Sequence, residues 1–195
     1  MLLRKHIDKQ LFFFAAMTLF SLALRTEVDA RFSLKSQWQR VETKHTIIQY
    51  ETFEDLQDFD SNIAYSPEGF SLANLFSPGD SDNPAGSLAK KLDSLYERVQ
   101  QILDMRGVLK KVRINIYSNT KKLHEAYLSI TGRECRIRAW YMFEVNTIYI
   151  NKDDVDEGMI AHEMAHSIID HYFSVRPPEA TAEILATYVD LHLED

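Results

Sequence analysis

The stretch Gly158–Phe173, GMIAHEMAHSIIDHYF, constrains this chain more than any other. Ile160, Met164 and Ile168 recur at helical spacing and form an apolar stripe that can dock a helix into a core. His162 and His166 are four apart, so both imidazoles project from one face of that helix, one turn above the other. Two ring nitrogens so placed can reach a single Zn²⁺ at about 2.0–2.1 Å. Glu163 lies beside them, turned towards the same opening. With both histidines on the ion it has no room to ligate, but it can hold the activated water and take its proton. The pattern is HExxH, and its chemistry depends on this spacing. Asp153 is expected to cap the helix, with Asp156 in its first turn favoured by the helix dipole.

A catalytic zinc needs a third protein ligand and an open fourth position. Pro177-Pro178 breaks the chain after this helix and pre-sets the start of another. Glu179 and Glu183 then share one face of that second helix, four residues apart, and either could ligate. Glu179 falls in the first turn, where a dipole or capping role would suffice. Asp170 and Asp190 fall on the metal-facing sides of their helices. Each could accept the second ring N–H of a ligand histidine, or be an ordinary solvated charge. His171 and His192 read as surface histidines.

The remaining sequence predicts one α+β domain. Residues 41–52, VETKHTIIQYET, read as a strand. Residues 57–87 carry Ser66-Pro67, Ser77-Pro78-Gly79 and Asp82-Asn83-Pro84, which predicts a long acidic surface loop with a helical turn near Phe70–Leu75. Leu88, Leu92, Leu95, Val99 and Ile102 predict an amphipathic helix over 88–106 capped at Gly107. Val112, Ile114 and Ile116 alternate in a half-buried strand at 110–117. A short helix over 121–130 ends at Thr131-Gly132, and 136–151 reads as two strands joined near Glu144-Val145-Asn146. Two helices follow.

Leu11–Leu24 is an uncharged apolar run preceded by Arg4, Lys5 and Lys9. A basic segment before an apolar run of this length reads as a secretory signal, expected to be cleaved after Ala30 and to leave the domain 31–195. The alternative is an uncleaved membrane anchor. The expected location is therefore periplasmic or secreted, or else anchored to a membrane. The single cysteine, Cys135, excludes an internal disulfide and a cysteine-based zinc site, and reads as a small buried thiol. With 22 Lys+Arg against 29 Asp+Glu, the net charge of −7 repels phosphate backbones, so nucleic acid is not an expected partner.

His162-Glu163-Met164-Ala165-His166 followed by Glu183-Ile184-Leu185-Ala186-Thr187-Tyr188 resembles the gluzincin metallopeptidases, particularly the peptidase MA-like domains. Their second helix reads E-G-[LFM]-A-x-[YF], and its Glu is the third zinc ligand. The resemblance places that ligand at Glu183 and the family's aromatic residue at Tyr188, with Ile184 standing where the family has Gly. It implies a small zincin-like domain: a mixed sheet with an antiparallel edge hairpin, the HExxH helix and a glutamate helix. An edge strand within 138–150 would align an extended peptide or protein substrate. The family takes its oxyanion donor from beyond the glutamate helix. Within this sequence Tyr141, Tyr149, Tyr172, Tyr188 and Arg138 are the alternatives.

Two functions follow as expectations. One is an exported zinc peptidase with Glu163 as general base and His162, His166 and Glu183 on the metal. The other is a non-catalytic exported binding protein that keeps the zinc as a structural clasp. A purely structural site has no use for Glu163, which favours the first.

Overall fold

Alternation of apolar residues builds the sheet, and the computed structural model describes it within residues 38–65, 83–134 and 136–194. The segment 1–30, the turn expected at 70–75 and Cys135 lie outside the described residues. Strands β1 (Gln39–Glu42), β2 (Thr46–Tyr50), β3 (Val112–Tyr117), β4 (Ala139–Met142) and β5 (Thr147–Asn151) form one mixed sheet in the order β1-β2-β3-β5-β4. The central pairs β2–β3 and β3–β5 are parallel, and the outer pairs β1–β2 and β4–β5 are antiparallel. Both edges of the sheet are therefore four-residue strands, and β4 belongs to the hairpin expected over 136–151. Among the described residues there are five helices: α1 (Phe53–Asn62), α2 (Pro84–Ile102), α3 (Thr120–Thr131), α4 (Glu157–Tyr172) and α5 (Glu179–Leu191). The fold is α+β.

One face of the sheet carries the core. Ile48, Ile114, Ile116, Ile148 and Ile150 are fully buried and meet Leu56 and Phe59 of α1, Leu88, Leu92, Leu95 and Val99 of α2, and Ile160, Met164 and Ile168 of α4. Burial of each such side chain contributes roughly 1.5–3 kcal/mol. The motif helix is thus anchored by the stripe its spacing predicts. Helix α3 packs on β3 and β5, with Leu123 buried outside that main cluster. A stack of aromatic rings, Tyr127, Trp140, Tyr149, Tyr117 and Trp38, links α3 to residues of β4, β5 and β3.

Three expectations need correction. The strand over 41–52 is a hairpin, because Thr43–His45 turn the chain. Asp93 of α2 holds that turn, accepting from Thr43 Oγ1 at 2.6 Å and from the N–H groups of Lys44 and His45 at 2.9 Å each. The loop expected over 57–87 is shorter, because 53–62 is helical and α2 starts at Pro84. Leu56, Phe59 and Ile63 give α1 its buried side, and Thr52 with Asp55 closes a capping box. Finally, α2 stops at Leu103, not at Gly107, and Asp104 takes the left-handed conformation with φ 51°. By contrast α3 ends as expected at Gly132, whose φ of 69° suits a residue without Cβ. Among the described residues no helix is long and apolar enough to cross a membrane.

Candidate metal centre

Helix α4 starts one step later than its sequence suggests. Asp156, not Asp153, is its N-cap: the Asp156 carboxylate accepts from the Met159 N–H at 2.8 Å. Asp153 belongs to a preceding 3-10 turn, Lys152–Asp154, and Val155 is extended between them. From this start His162 and His166 fall on the side of α4 away from Ile160, Met164 and Ile168. Helix α5 packs on α4, with Ala182, Ala186 and Val189 buried and Glu183 turned towards the two imidazoles.

The three side chains converge. His162 Nε2 lies 3.2 Å from His166 Nε2, 3.6 Å separates it from Glu183 Oε2, and His166 Nε2 is 3.4 Å from Glu183 Oε1. Donors about 2.05 Å from a tetrahedral ion stand about 3.3 Å from one another, so these separations fit one zinc-sized ion and two imidazoles plus a carboxylate suit it chemically. Among the described residues this is the one such cluster of metal-ligating groups, and Glu179 is not part of it. The imidazoles are 26% and 14% exposed while Glu183 is 53% exposed, so the cluster opens to solvent on the α5 side. Burial holds His166 below the ordinary imidazole pKa, which keeps it neutral and fit to ligate.

Glu163 sits beside the cluster and outside it. Burial first, and the Glu183 charge second, push its carboxyl up to about 8; the backbone amide of Tyr141 pulls the other way. Tyr141 on β4 also lays its ring parallel to that of His166, with centroids 6.4 Å apart. Its hydroxyl is committed elsewhere: it donates to Asn146 Oδ1 at 3.1 Å and lies 3.4 Å from His171 Nδ1.

Asn146 is the residue that sequence reasoning missed. It ends the β4–β5 turn in the left-handed conformation with φ 47°, and it is buried. Its Oδ1 also accepts from Ser167 Oγ at 2.7 Å, and its Nδ2 donates to the carbonyls of Lys110 and Lys111 at 3.4 and 3.1 Å. One side chain thus ties the turn, α4 and the entry to β3 behind the two histidines. An asparagine in a hairpin turn is unremarkable in sequence, so the only signal was its tolerance of positive φ.

The outlying candidates divide. Asp170 is buried one turn beyond His166 and pairs with Arg176, whose Nη2 lies 3.0 Å from its Oδ2. Asp190 is exposed at the other end of the site, against Gly158, one turn before His162. His171, read as a surface histidine, is half-buried and meets the Ser167 carbonyl at 3.0 Å. His192 stacks on Tyr188 with centroids 4.0 Å apart. Arg138 pairs with Asp154 and Asp156, and Tyr149 belongs to the aromatic stack.

Comparison with protein-family models, with curated proteins and with solved structures finds no match for this chain. The site therefore speaks through its own chemistry.

Proposed function

We propose that the protein is a zinc-dependent peptidase whose metal ligands are His162, His166 and Glu183. The observation carrying this reading is the set of three ligand atoms spaced like the edges of a tetrahedron, with a half-buried carboxylate alongside that takes no part in the set. Zinc held there supplies Lewis acidity and a nucleophile at neutral pH. Glu163 accepts the proton of the attacking water and returns it to the leaving amine. Strand β4 is a sheet edge beside Glu163, so an extended peptide can pair with it antiparallel. A zincin-like assignment of the fold and membership of the gluzincins rest on the same residues. Export rests on the sequence of residues 1–30.

One observation favours a second reading, a binding protein with a structural zinc. Of the alternatives for an oxyanion donor, Tyr141 and Arg138 are already engaged by Asn146, Asp154 and Asp156. Loss of one such donor costs about 3–4 kcal/mol of transition-state stabilisation.

Cleavage of a peptide library by wild type, Glu163→Gln and chelated protein separates the two. The peptidase reading expects zinc in both proteins and cleavage by wild type alone. Stoichiometric zinc without any cleavage establishes the binding protein. Equal cleavage by Glu163→Gln removes Glu163 from the chemistry.

A further inference from the structure

We infer that Arg176 is a positioning residue for the metal centre: by joining the buried Asp170 carboxylate to the Phe143 ring it fixes the loop that delivers Glu183 to the two histidines. The inference rests on the metal reading above and is independent of peptidase activity.

The loop between α4 and α5, residues 173–178, offers little apolar anchorage. Phe173 is 45% and Val175 79% exposed. Pro177 is half-buried, and Arg176, though its side chain is 49% exposed, reaches back to the body. Its guanidinium meets Asp170 on α4 and lies over Phe143 in the β4–β5 turn, with Cζ 4.5 Å from the ring centroid. Asp170 needs this partner. Its side chain is 1% exposed, and among the described residues neither of its oxygens has an aligned hydrogen-bond donor. A carboxylate so buried is tolerated only beside a counter-charge, and the Arg176 contact is the ion pair that supplies it.

The geometry makes this contact a lever. Asp170 is one turn beyond His166, so Arg176 is pinned to the same helix that carries the histidines. Pro177 and Pro178 follow at once, each with φ fixed by its ring, and α5 starts at Glu179. Few free torsions lie between the pinned guanidinium and the first turn of α5. Glu183 is one turn further on. The place of Arg176 therefore sets how deep Glu183 sits, and the 3.4–3.6 Å separations within the cluster leave little tolerance for a shift. Ala182, Ala186 and Val189 pack α5 against α4, and Arg98 holds its far end through the His192 and Leu193 carbonyls, so the Arg176 contact acts on the end of α5 nearest Glu183.

The test uses Co²⁺ as the probe, since its visible absorption reports the number and geometry of ligands. Wild type, Glu183→Ala, Arg176→Gln and Arg176→Lys are titrated with Co²⁺, and the melting of each metal-free protein is recorded. The inference expects Arg176→Gln to bind about tenfold more weakly or worse, within the range typical of residues that orient ligands. Its spectrum should move towards that of Glu183→Ala. Arg176→Lys should recover part of the affinity, since it keeps the charge and loses the planar stack on Phe143. Wild-type affinity and spectrum in Arg176→Gln, with only a lowered melting temperature, overturn the inference and leave the metal site standing. Absence of Co²⁺ binding by wild type overturns both. If Arg176→Gln does not fold, the pair Asp170→Asn/Arg176→Gln removes the buried charge together with its partner. Weak binding with the shifted spectrum then supports the inference, and wild-type binding overturns it.

Discussion

A single side chain can be tested where it carries more than one contact. Asn146, itself buried, accepts from Tyr141 and Ser167 and donates to the carbonyls of Lys110 and Lys111. Asn146→Ala strands these partners and puts a Cβ residue without a polar side chain into a left-handed turn. It should cost about 3 kcal/mol in urea unfolding, and a loss below about 1 kcal/mol would show that Asn146 does not hold these segments together. Glu183 and Glu179 make a second residue-scale comparison. Glu183→Ala should lower zinc affinity by orders of magnitude in competition with a chromophoric chelator, whereas Glu179→Ala should leave it within about twofold. The reverse result would move the third ligand by one helical turn.

At the scale of elements, the clearest test concerns how α4 begins. Asp156→Ala removes the carboxylate that caps Met159 N–H and should destabilise the protein by about 1 kcal/mol, while Asp153→Ala should stay within about 0.5 kcal/mol. Thermal melts of the two variants decide it. The same helix shows why some elements were legible and others not. Its apolar stripe and the histidine spacing are local periodicities, and each survives folding unchanged. Strand β3 and the β4–β5 hairpin were legible for the same reason, through alternation and turn chemistry. Helix α1 was not, because its acidic surface outweighs three apolar residues that matter only once α2 and the sheet cover them. The break between β1 and β2 was hidden too: Lys44 and His45 sit among strand formers, and the turn exists because Asp93, far along the chain, accepts their N–H groups. In the site, the histidine pair was readable from spacing, whereas spacing left two glutamates open, and the structure brings Glu183 of the two to the histidines. The support from Asn146 and Arg176 was not, since it depends on contacts between segments whose approach no local pattern encodes.

For the whole molecule, stability should depend on pH through Glu163. Its carboxyl titrates near 4.5 when unfolded and is raised to about 8 in the metal-free fold. The folded state therefore holds this proton more tightly than the unfolded state. The associated stability is fully present below pH about 4.5 and is lost as pH rises towards 8. Metal-free protein should melt at progressively lower temperature across that window, and Glu163→Gln, neutral at every pH, should lose that part of the slope. Parallel curves for the two proteins would contradict the upward shift of the Glu163 carboxyl. The molecule is also uneven in how far apart its partners lie along the chain. Strands β2 and β3 pair across residues 51–111, a wide loop whose closure must precede any reward from the contact. The three side chains that could hold a metal, His162, His166 and Glu183, all lie within residues 162–183, on two adjoining helices with a short connection. On the metal reading proposed above, the donors come from one short stretch of chain, so their coming together does not depend on closing the long segment between β2 and β3.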